Sequence, residues 1–222
     1  MRPILQITNK NKTSLYVANM IAECMDFMVE EIEVSDFDNI NTLVEEKDAA
    51  LLIIGLNFDK EIQNYLNKCR ELRVPYIFVK NEISNNFNIG NILLPISNLE
   101  EEREKGPFAS SFARHFGCPI TIYQPNDYGS KAVKNIEAMK MLFDSFSLKY
   151  ETVKGKKDSN GIEFEAGLLN KNKQNSLLII SASRDYGLDD IIFGPKERKI
   201  IKNTNIPTML INPRGDLYAL CD

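Results

Sequence analysis

The sequence predicts an α/β protein with two doubly wound, mainly parallel sheets that are flanked by helices. Short apolar segments alternate with amphipathic helical segments along the whole chain, and this alternation typically gives parallel strands covered on both faces. Two apolar segments, residues 51–54 and 177–180, contain only leucine and isoleucine, as expected for strands at the centre of a sheet. Three apolar segments of the first half also resemble three of the second half in the same order.

The first half of the chain alternates four predicted strands with three predicted helices. The helix at 13–25 is the clearest, because its apolar residues recur every three or four positions and so share one face. The strand at 50–56 is uninterrupted by polar residues, whereas the one at 31–34 is weak. The strands are predicted at residues 4–8, 31–34, 50–56 and 75–79, and the helices at 13–25, 39–46 and 59–73.

The second half repeats the alternation with five predicted strands and four predicted helices. Within the helix at 99–116, the Gly106-Pro107 pair predicts a kink or a fresh start. The helix at 131–148 is expected to bury Val133, Ile136, Met139, Phe143 and Phe146. The strands are predicted at residues 92–96, 119–123, 151–154, 177–181 and 208–212, and the helices at 99–116, 131–148, 162–171 and 196–203.

The ordered similarity between the halves indicates an internal duplication. Residues 4–8 resemble 93–97, residues 51–55 resemble 177–181, and residues 74–79 resemble 206–211. Chance similarity is the alternative, because apolar strands resemble one another. A polar, Asn-rich segment separates the copies. The predicted domains are residues 1–82 and 91–222, joined by a linker at 83–90.

Composition argues against several classes of function. The 222 residues carry a formal net charge of −4 and lack a basic face, so nucleic-acid binding is not expected. No apolar run approaches the roughly 20 residues that cross a bilayer, and the first residues lack the long apolar stretch expected of a signal peptide. One histidine and four cysteines without a CxxC pair predict no metal site and free thiols in a cytoplasmic protein.

Residues 181–195 are the most informative segment for function. They join an apolar strand to a helix through a loop of mostly small and polar residues, and such a connection can bind phosphate through backbone N–H groups and the helix dipole. Arg184 and Pro195 oppose this use, because arginine hinders close approach of the backbone and proline lacks an N–H. Gly187 can still provide a turn.

Catalytic motifs are absent from the sequence. His115 lies near a predicted helix end, where a structural role is expected, and no Gly-x-Ser-x-Gly elbow accompanies it. The adjacent acids Glu101-Glu102 and Asp189-Asp190 point in different directions on a helix and do not form an acid–base pair. No P-loop and no Gly-x-Gly-x-x-Gly motif is present, so the protein is predicted not to be an enzyme.

Residues 91–214 resemble a universal stress protein domain, and the first half resembles a shortened, divergent copy. The resemblance rests on several segments in order. These are Ile-Leu-Leu-Pro-Ile-Ser at 92–97, Phe-Ala-Arg-His-Phe-Gly at 112–117, Leu-Leu-Ile-Ile-Ser at 177–181, Gly-Leu-Asp-Asp-Ile-Ile-Phe-Gly at 187–194 and Ile-Pro-Thr-Met-Leu-Ile-Asn-Pro at 206–213. The resemblance implies a Rossmann-like fold of the adenine-nucleotide alpha-hydrolase type.

Nucleotide-binding members of that family carry Gly-x-x-Gly, nine residues, then Gly and Ser or Thr. This chain keeps the spacing with Ser181, Arg184, Gly194 and Pro195, so one position of four agrees. The family's aspartate at the end of the first strand is replaced by Ser97. The resemblance therefore implies a vestigial nucleotide site. In the first half, Thr8 and Gly55 occupy the matching places, and the shortened loop leaves no room for phosphate.

The resemblance implies a non-catalytic, cytoplasmic stress-response or regulatory protein without a cofactor, which acts through contacts with a protein partner. The halves are expected to pack as an intrachain pseudo-dimer through residues 76–79 and 208–211, and a further homodimer is compatible with this. The first alternative is an ATP-binding stress sensor, with the Arg184 guanidinium as an anion fork. The second, a flavodoxin-like or receiver-like switch, is disfavoured because the strand ends lack the required acids.

Overall fold

A mixed sheet runs through the residues that the computed structural model describes, which are 2–83, 86–127, 130–170, 175–183 and 195–214. Nine strands of these residues belong to it. They are β1 (Pro3–Thr8), β2 (Met28–Glu33), β3 (Leu51–Leu56), β4 (Tyr76–Lys80), β5 (Asn91–Pro95), β6 (Ile120–Gln124), β7 (Tyr150–Lys154), β8 (Ser176–Ser181) and β9 (Thr208–Ile211).

Helices lie between the strands, as the alternating sequence pattern predicts. Those of the described ranges are α1 (Lys12–Met25), α2 (Ile40–Glu46), α3 (Ile62–Cys69), α4 (Lys105–Phe116), α5 (Ser130–Ser145), α6 (Ile162–Leu169) and α7 (Lys196–Asn203). The predicted fresh start at Gly106-Pro107 is confirmed. A 3-10 turn, Glu100–Glu104, precedes α4, and the proline falls in the first turn of the helix, where its missing N–H costs least.

The strand order is β2-β1-β3-β4-β9-β8-β5-β6-β7. The predicted α/β class with mainly parallel strands is confirmed. The strands form one sheet instead of the two that the sequence predicts, because β4 and β9 pair antiparallel, with Tyr76 opposite Leu210 and Phe78 opposite Thr208. The other neighbouring strands run parallel. From β1 the chain continues to β2 on one side of it and then to β3 on the other. From β5 it likewise continues to β6 on one side and later to β8 on the other.

The hydrophobic core lies on both faces of this sheet. Side chains alternate along a strand, so Ile53 and Ile179 face one layer of helices while Leu52 and Leu178 face the other. All residues of β3 and β8 are buried, which explains the apolar sequence of β3 and of residues 177–180 in β8.

The predicted buried side of α5 is correct in the middle of the helix and wrong at both ends. Ile136, Met139 and Phe143 are buried, but Val133 is 44% exposed and Phe146 is 46% exposed. Val133 is rotated away from the centre of the stripe that the three buried residues form. The helix ends at Ser145, so Phe146 leaves the helical path, and its ring lies 4.9 Å from the Arg114 guanidinium carbon.

The polar segment predicted as a linker carries apolar residues that enter the core. Ile83, Phe87 and Ile89 are buried, and the Tyr16 hydroxyl donates to the carbonyl of Phe87 at 3.0 Å. This segment therefore contributes packing as well as connection. None of the described helices has both the length and the apolar character needed to span a membrane.

Candidate functional site

Two of the predicted site residues lie at the same edge of the sheet. Ser97 follows β5 and Ser181 ends β8, and these strands are parallel neighbours. The chain leaves β5 toward β6 on one side and returns to β8 on the other, which makes this edge a topological switch point, the usual ligand site of such sheets. Pro195 is the N-cap residue of α7. Arg184, Gly187 and Gly194 lie outside the described residues.

Glu102 connects the two serines. Its side chain is 0% exposed, and one carboxylate oxygen accepts the backbone N–H of Ser97 at 2.7 Å. The other oxygen accepts the Ser181 hydroxyl at 2.9 Å. The first oxygen also lies 2.7 Å from the ammonium group of Lys105, one turn further along the chain. This carboxylate therefore lies between the ends of β5 and β8.

Lys105 compensates the charge of Glu102 from within the core. Its side chain is 0% exposed, and its ammonium group donates to the carbonyl of Pro95 at 2.5 Å. It also lies 3.5 Å from an oxygen of Glu163 on α6. Lysine is almost never fully buried unless it is paired, and two carboxylates and a carbonyl satisfy it here.

Glu163 reaches the second strand end from α6. One carboxylate oxygen accepts the backbone N–H of Ser181 at 3.1 Å, and the other lies 3.0 Å from the ammonium group of Lys196. Burial favours the neutral form of Glu163, but the charges of Lys196 and Lys105 and the hydrogen bonds from Lys196 and Ser181 outweigh it, so its pKa is lowered. We call Glu102, Lys105, Glu163 and Lys196 the carboxylate–lysine network.

The start of α7 supplies the last members of the site. Burial acts to lower the pKa of Lys196, but the neighbouring Glu163 carboxylate outweighs it, so the pKa is raised and the ammonium stays charged. The buried Glu197 carboxylate accepts the backbone N–H of Ser183 with one oxygen, and its other oxygen has no partner among the described residues. Burial raises the pKa of Glu197 despite the bonds to Ser183.

Asn135 on α5 fixes the loop that carries Glu102. Its amide nitrogen donates to the carbonyls of Ser97 and Leu99 at 3.2 and 2.7 Å, and its oxygen accepts Arg103 at 3.0 Å. Glu102 therefore has little freedom to swing away from the strand ends.

The matching edge of the first half is filled by a different set of side chains. Asn11 donates to the carbonyls of Leu56 and, more weakly, Val79, at 3.1 and 3.4 Å. A Cβ atom added to Gly55 would lie 2.6 Å from Asn11 Cβ and from Ser14 Oγ. The polar groups of Asn11 and Ser14 thus pack directly on the backbone at the end of β3.

A carboxylate also covers the backbone after β3. Glu61 precedes α3 and accepts the N–H groups of Asn57 and Phe58 at 3.0 and 3.2 Å. Glu197 does the same for Ser183 after β8. In each half, a glutamate at the N-terminal end of the helix that follows the buried strand therefore accepts N–H groups at the strand end, the donors that an incoming anion would use.

The carboxylate–lysine network was missed by reasoning from the sequence. Glu102 and Lys105 are spaced one helical turn apart, so they were recognisable as an ion pair, but exposed pairs share that spacing. Their burial depends on Ser181 and Glu163, which are distant in the sequence. The prediction that Glu101 and Glu102 point in different directions agrees with their burial, since Glu102 is buried and Glu101 is half-buried.

Among the described residues, His115 and the cysteines form no metal-binding group. His115 lies on the exposed end of α4, where its Nδ1 is 2.8 Å from the carbonyl of Ser111, and Gly117 ends the helix with a φ of +61°. Burial raises the pKa of the Cys118 thiol to about 11 and that of Cys69 further still. No group of three or more His, Cys, Asp or Glu in the described ranges could hold a metal ion.

Comparisons with known proteins identify the fold. No family model matches the sequence, and no curated protein matches it. A universal stress protein from Archaeoglobus fulgidus DSM 4304 has a TM-score of 0.63 at 12% identity, over 97% of this chain and 88% of that one. A functionally unknown protein from Pseudomonas aeruginosa PAO1 has a TM-score of 0.57 at 13% identity, over 98% of this chain and 83% of that one. The chain therefore has the fold of universal stress proteins.

Proposed function

We propose that this chain is a non-catalytic universal stress protein whose nucleotide site is closed by its own side chains, and that it acts in a stress response through contacts with other proteins. The observation that carries the proposal is the position of two buried carboxylates. Glu102 and Glu163 accept the backbone N–H groups of Ser97 and Ser181 at the ends of β5 and β8.

A phosphate would compete with Glu102 and Glu163 for the same backbone N–H donors. A phosphate approaching this edge would have to displace Glu102 or Glu163, and each is bonded to lysine as well as to the backbone. Breaking a buried, paired charge typically costs several kcal/mol. The lysines offer a phosphate little net attraction, because Glu102 and Glu163 already neutralise Lys105 and Lys196, so binding of a triphosphate is disfavoured.

We also propose that residues 1–82 and 91–222 are tandem copies of one domain. The halves share the sense of their strand order, with β1 between β2 and β3 and with β5 between β6 and β8. Their last strands, β4 and β9, meet at the antiparallel seam. Among the described residues, the N–H groups of Asn57, Phe58, Ser97, Ser181 and Ser183 are already bonded to glutamates, which supports a role through surface contacts.

Titration calorimetry with ATP and Mg²⁺ tests the proposed closure. We expect no saturable binding below about 1 mM, since loss of a few phosphate hydrogen bonds moves a micromolar affinity to that range. Mass spectrometry of the protein as purified should find no nucleotide. ATP carried through purification would overturn the proposal.

The alternative, an ATP-binding stress sensor that uses residues 181–195, is favoured by one observation. Lys196 is 40% exposed, keeps its charge and lies in the first turn of α7, where it could contact a phosphate. In this case Arg184→Ala and Lys196→Ala should each weaken a micromolar affinity for ATP. Lys199→Ala is the matched control, because Lys199 lies one turn further and stacks on the ring of Phe164.

A further inference from the structure

A cavity of about 260 Å³ lies at the end of the seam between β4 and β9. The two strands are antiparallel, so the residues entering β4 lie beside those leaving β9. The start of α4 covers the same region from the second half. The cavity is therefore built from both halves of the chain, and it is separate from the carboxylate–lysine network.

The inner wall of this seam cavity is apolar. It includes Val74 and Pro75 before β4, Ile211 at the end of β9, and Pro107 and Phe108 from the first turn of α4. Ile211 is buried and Phe108 is partly buried against the core. A wall of aliphatic and aromatic groups with few polar atoms is typical of a site for a small organic molecule.

One side of the wall is held in place by hydrogen bonds. The Asn212 amide nitrogen donates to the carbonyls of Cys69 and Leu72 at 2.6 and 2.9 Å, and its oxygen accepts the Tyr76 hydroxyl at 3.1 Å. These bonds tie the segment after β9 to the end of α3 and to β4. The cavity is thus pre-formed, which lowers the entropic cost of binding.

Among the charged residues that line the cavity, the positive ones outnumber the negative one. Arg73 and Arg214 belong to its lining and are exposed, which places positive charge at its open side. Glu104 is the acidic residue among those lining the cavity, and both of its oxygens accept the backbone N–H of Arg214 at 3.2 Å. The guanidinium groups therefore provide a net positive rim above an apolar wall.

We propose that the seam cavity binds a small amphipathic carboxylate, whose apolar body packs on Phe108 and Ile211 and whose carboxylate faces Arg73 and Arg214. Guanidinium groups bind carboxylates through paired, charge-assisted hydrogen bonds, which a neutral ligand cannot form as strongly. The cavity volume equals that of about nine waters in the liquid, which suits a ligand of about ten non-hydrogen atoms.

Phenylacetate is a suitable probe, and phenylacetamide is its neutral partner of the same size. Each is titrated calorimetrically into the intact protein. We expect phenylacetate to saturate with a dissociation constant of about 1 mM or lower, as its size allows, and the amide to bind at least about tenfold more weakly. The Arg73→Gln/Arg214→Gln double variant should weaken the carboxylate about tenfold.

Arg114→Gln is the matched control, because Arg114 lies at the opposite end of α4 beside Phe146. It should bind phenylacetate like the unchanged protein. The proposal is overturned by any of three results: no saturation up to about 10 mM, equal affinity for the amide, or unchanged affinity in the double variant. If phenylacetate does not bind as expected, the proposed closure of the nucleotide site is unaffected, because the seam cavity and the carboxylate–lysine network share no residue.

Discussion

The carboxylate of Glu102 accepts the hydroxyl of Ser181 at 2.9 Å, although the two residues are 79 positions apart in the sequence. This bond joins the turn after β5 to the last residue of β8 at the switch point of the sheet. A ligand that bound at the ends of these two strands would have to break the hydrogen bond between the buried Glu102 carboxylate and the Ser181 hydroxyl.

Replacing Lys105 by methionine should strongly destabilise the protein. The substitution keeps a similar shape but leaves Glu102 and Glu163 buried with less compensation, so we expect a loss of about 3–5 kcal/mol in the free energy of unfolding. Urea unfolding provides the measurement. Lys140→Met removes a largely exposed pair with Glu137 and should cost less than about 1 kcal/mol. Equal effects of the two variants would contradict the role given to Lys105.

Glu163 should make the protein less stable in acid. Its pKa is lowered on folding, so its stabilising contribution is present above the unfolded value of about 4.3 and is lost as the pH falls through the folded-state pKa. Urea unfolding over a series of pH values measures this. In Glu163→Gln, the free energy of unfolding should fall less steeply on acidification than in the unchanged protein. An unchanged slope would refute the assignment.

Glu197 should have the opposite pH dependence. Burial raises its folded-state pKa, so its contribution is present below about 4.3 and is lost as the pH rises through that raised value. Glu197→Gln should therefore remove a decline in stability on the alkaline side of pH 4.3, while the Gln oxygen still accepts the N–H of Ser183. The same unfolding series checks the result. A variant whose pH profile moves in the direction of Glu163→Gln would show that the sign is wrong.

Gly55→Ala should overpack the strand end of the first half. The new Cβ would lie 2.6 Å from Asn11 Cβ and Ser14 Oγ, so we expect a loss of about 1–3 kcal/mol in unfolding free energy. Gly90→Ala is the control, since the nearest atom to its new Cβ is the Asn175 carbonyl oxygen at 3.4 Å. It should change stability by less than about 1 kcal/mol. Two equally mild effects would mean that the β3 end can relax.

Asn212→Leu should weaken the attachment of the segment after β9. It removes the donors to Cys69 and Leu72, and we expect a loss of about 1–3 kcal/mol on urea unfolding. Asn203→Ala removes a single exposed bond to the Lys199 carbonyl and should cost about 0.5 kcal/mol or less. If the Asn203 variant is the less stable of the two, the bonds of Asn212 do not stabilise the seam.

The strands and helices were predictable because their signals are local. Ile136, Met139 and Phe143 lie on one face of α5 by helical spacing alone, and the burial of residues 177–180 in β8 follows from their unbroken apolar sequence. The prediction failed at Val133, which lies off the centre of that face, and at Phe146, which follows the last residue of the helix. The apolar spacing in the sequence does not show where the helix ends.

The contents of the site were not predictable for a related reason. The sequence indicated an altered phosphate loop through Ser181 and Pro195, but Lys105 meets Glu163 only after α4 and α6 have both packed against β5. A buried lysine looks like an exposed one until its partners are known. The predictions on Arg184, Gly187 and Gly194 stay predictions, because those residues lie outside the described part of the chain.

The antiparallel pairing of β4 with β9 has a consequence for how the protein responds to dilution. Two separate chains that met through such strands would dissociate at low concentration, whereas strands of one polypeptide keep a high effective concentration at any dilution. Separating the halves after a cut near residue 86 would expose Tyr76 and Met209 together with two unpaired strand edges, which recruit other chains. Halves expressed alone should therefore precipitate, while co-expression should recover a soluble pair.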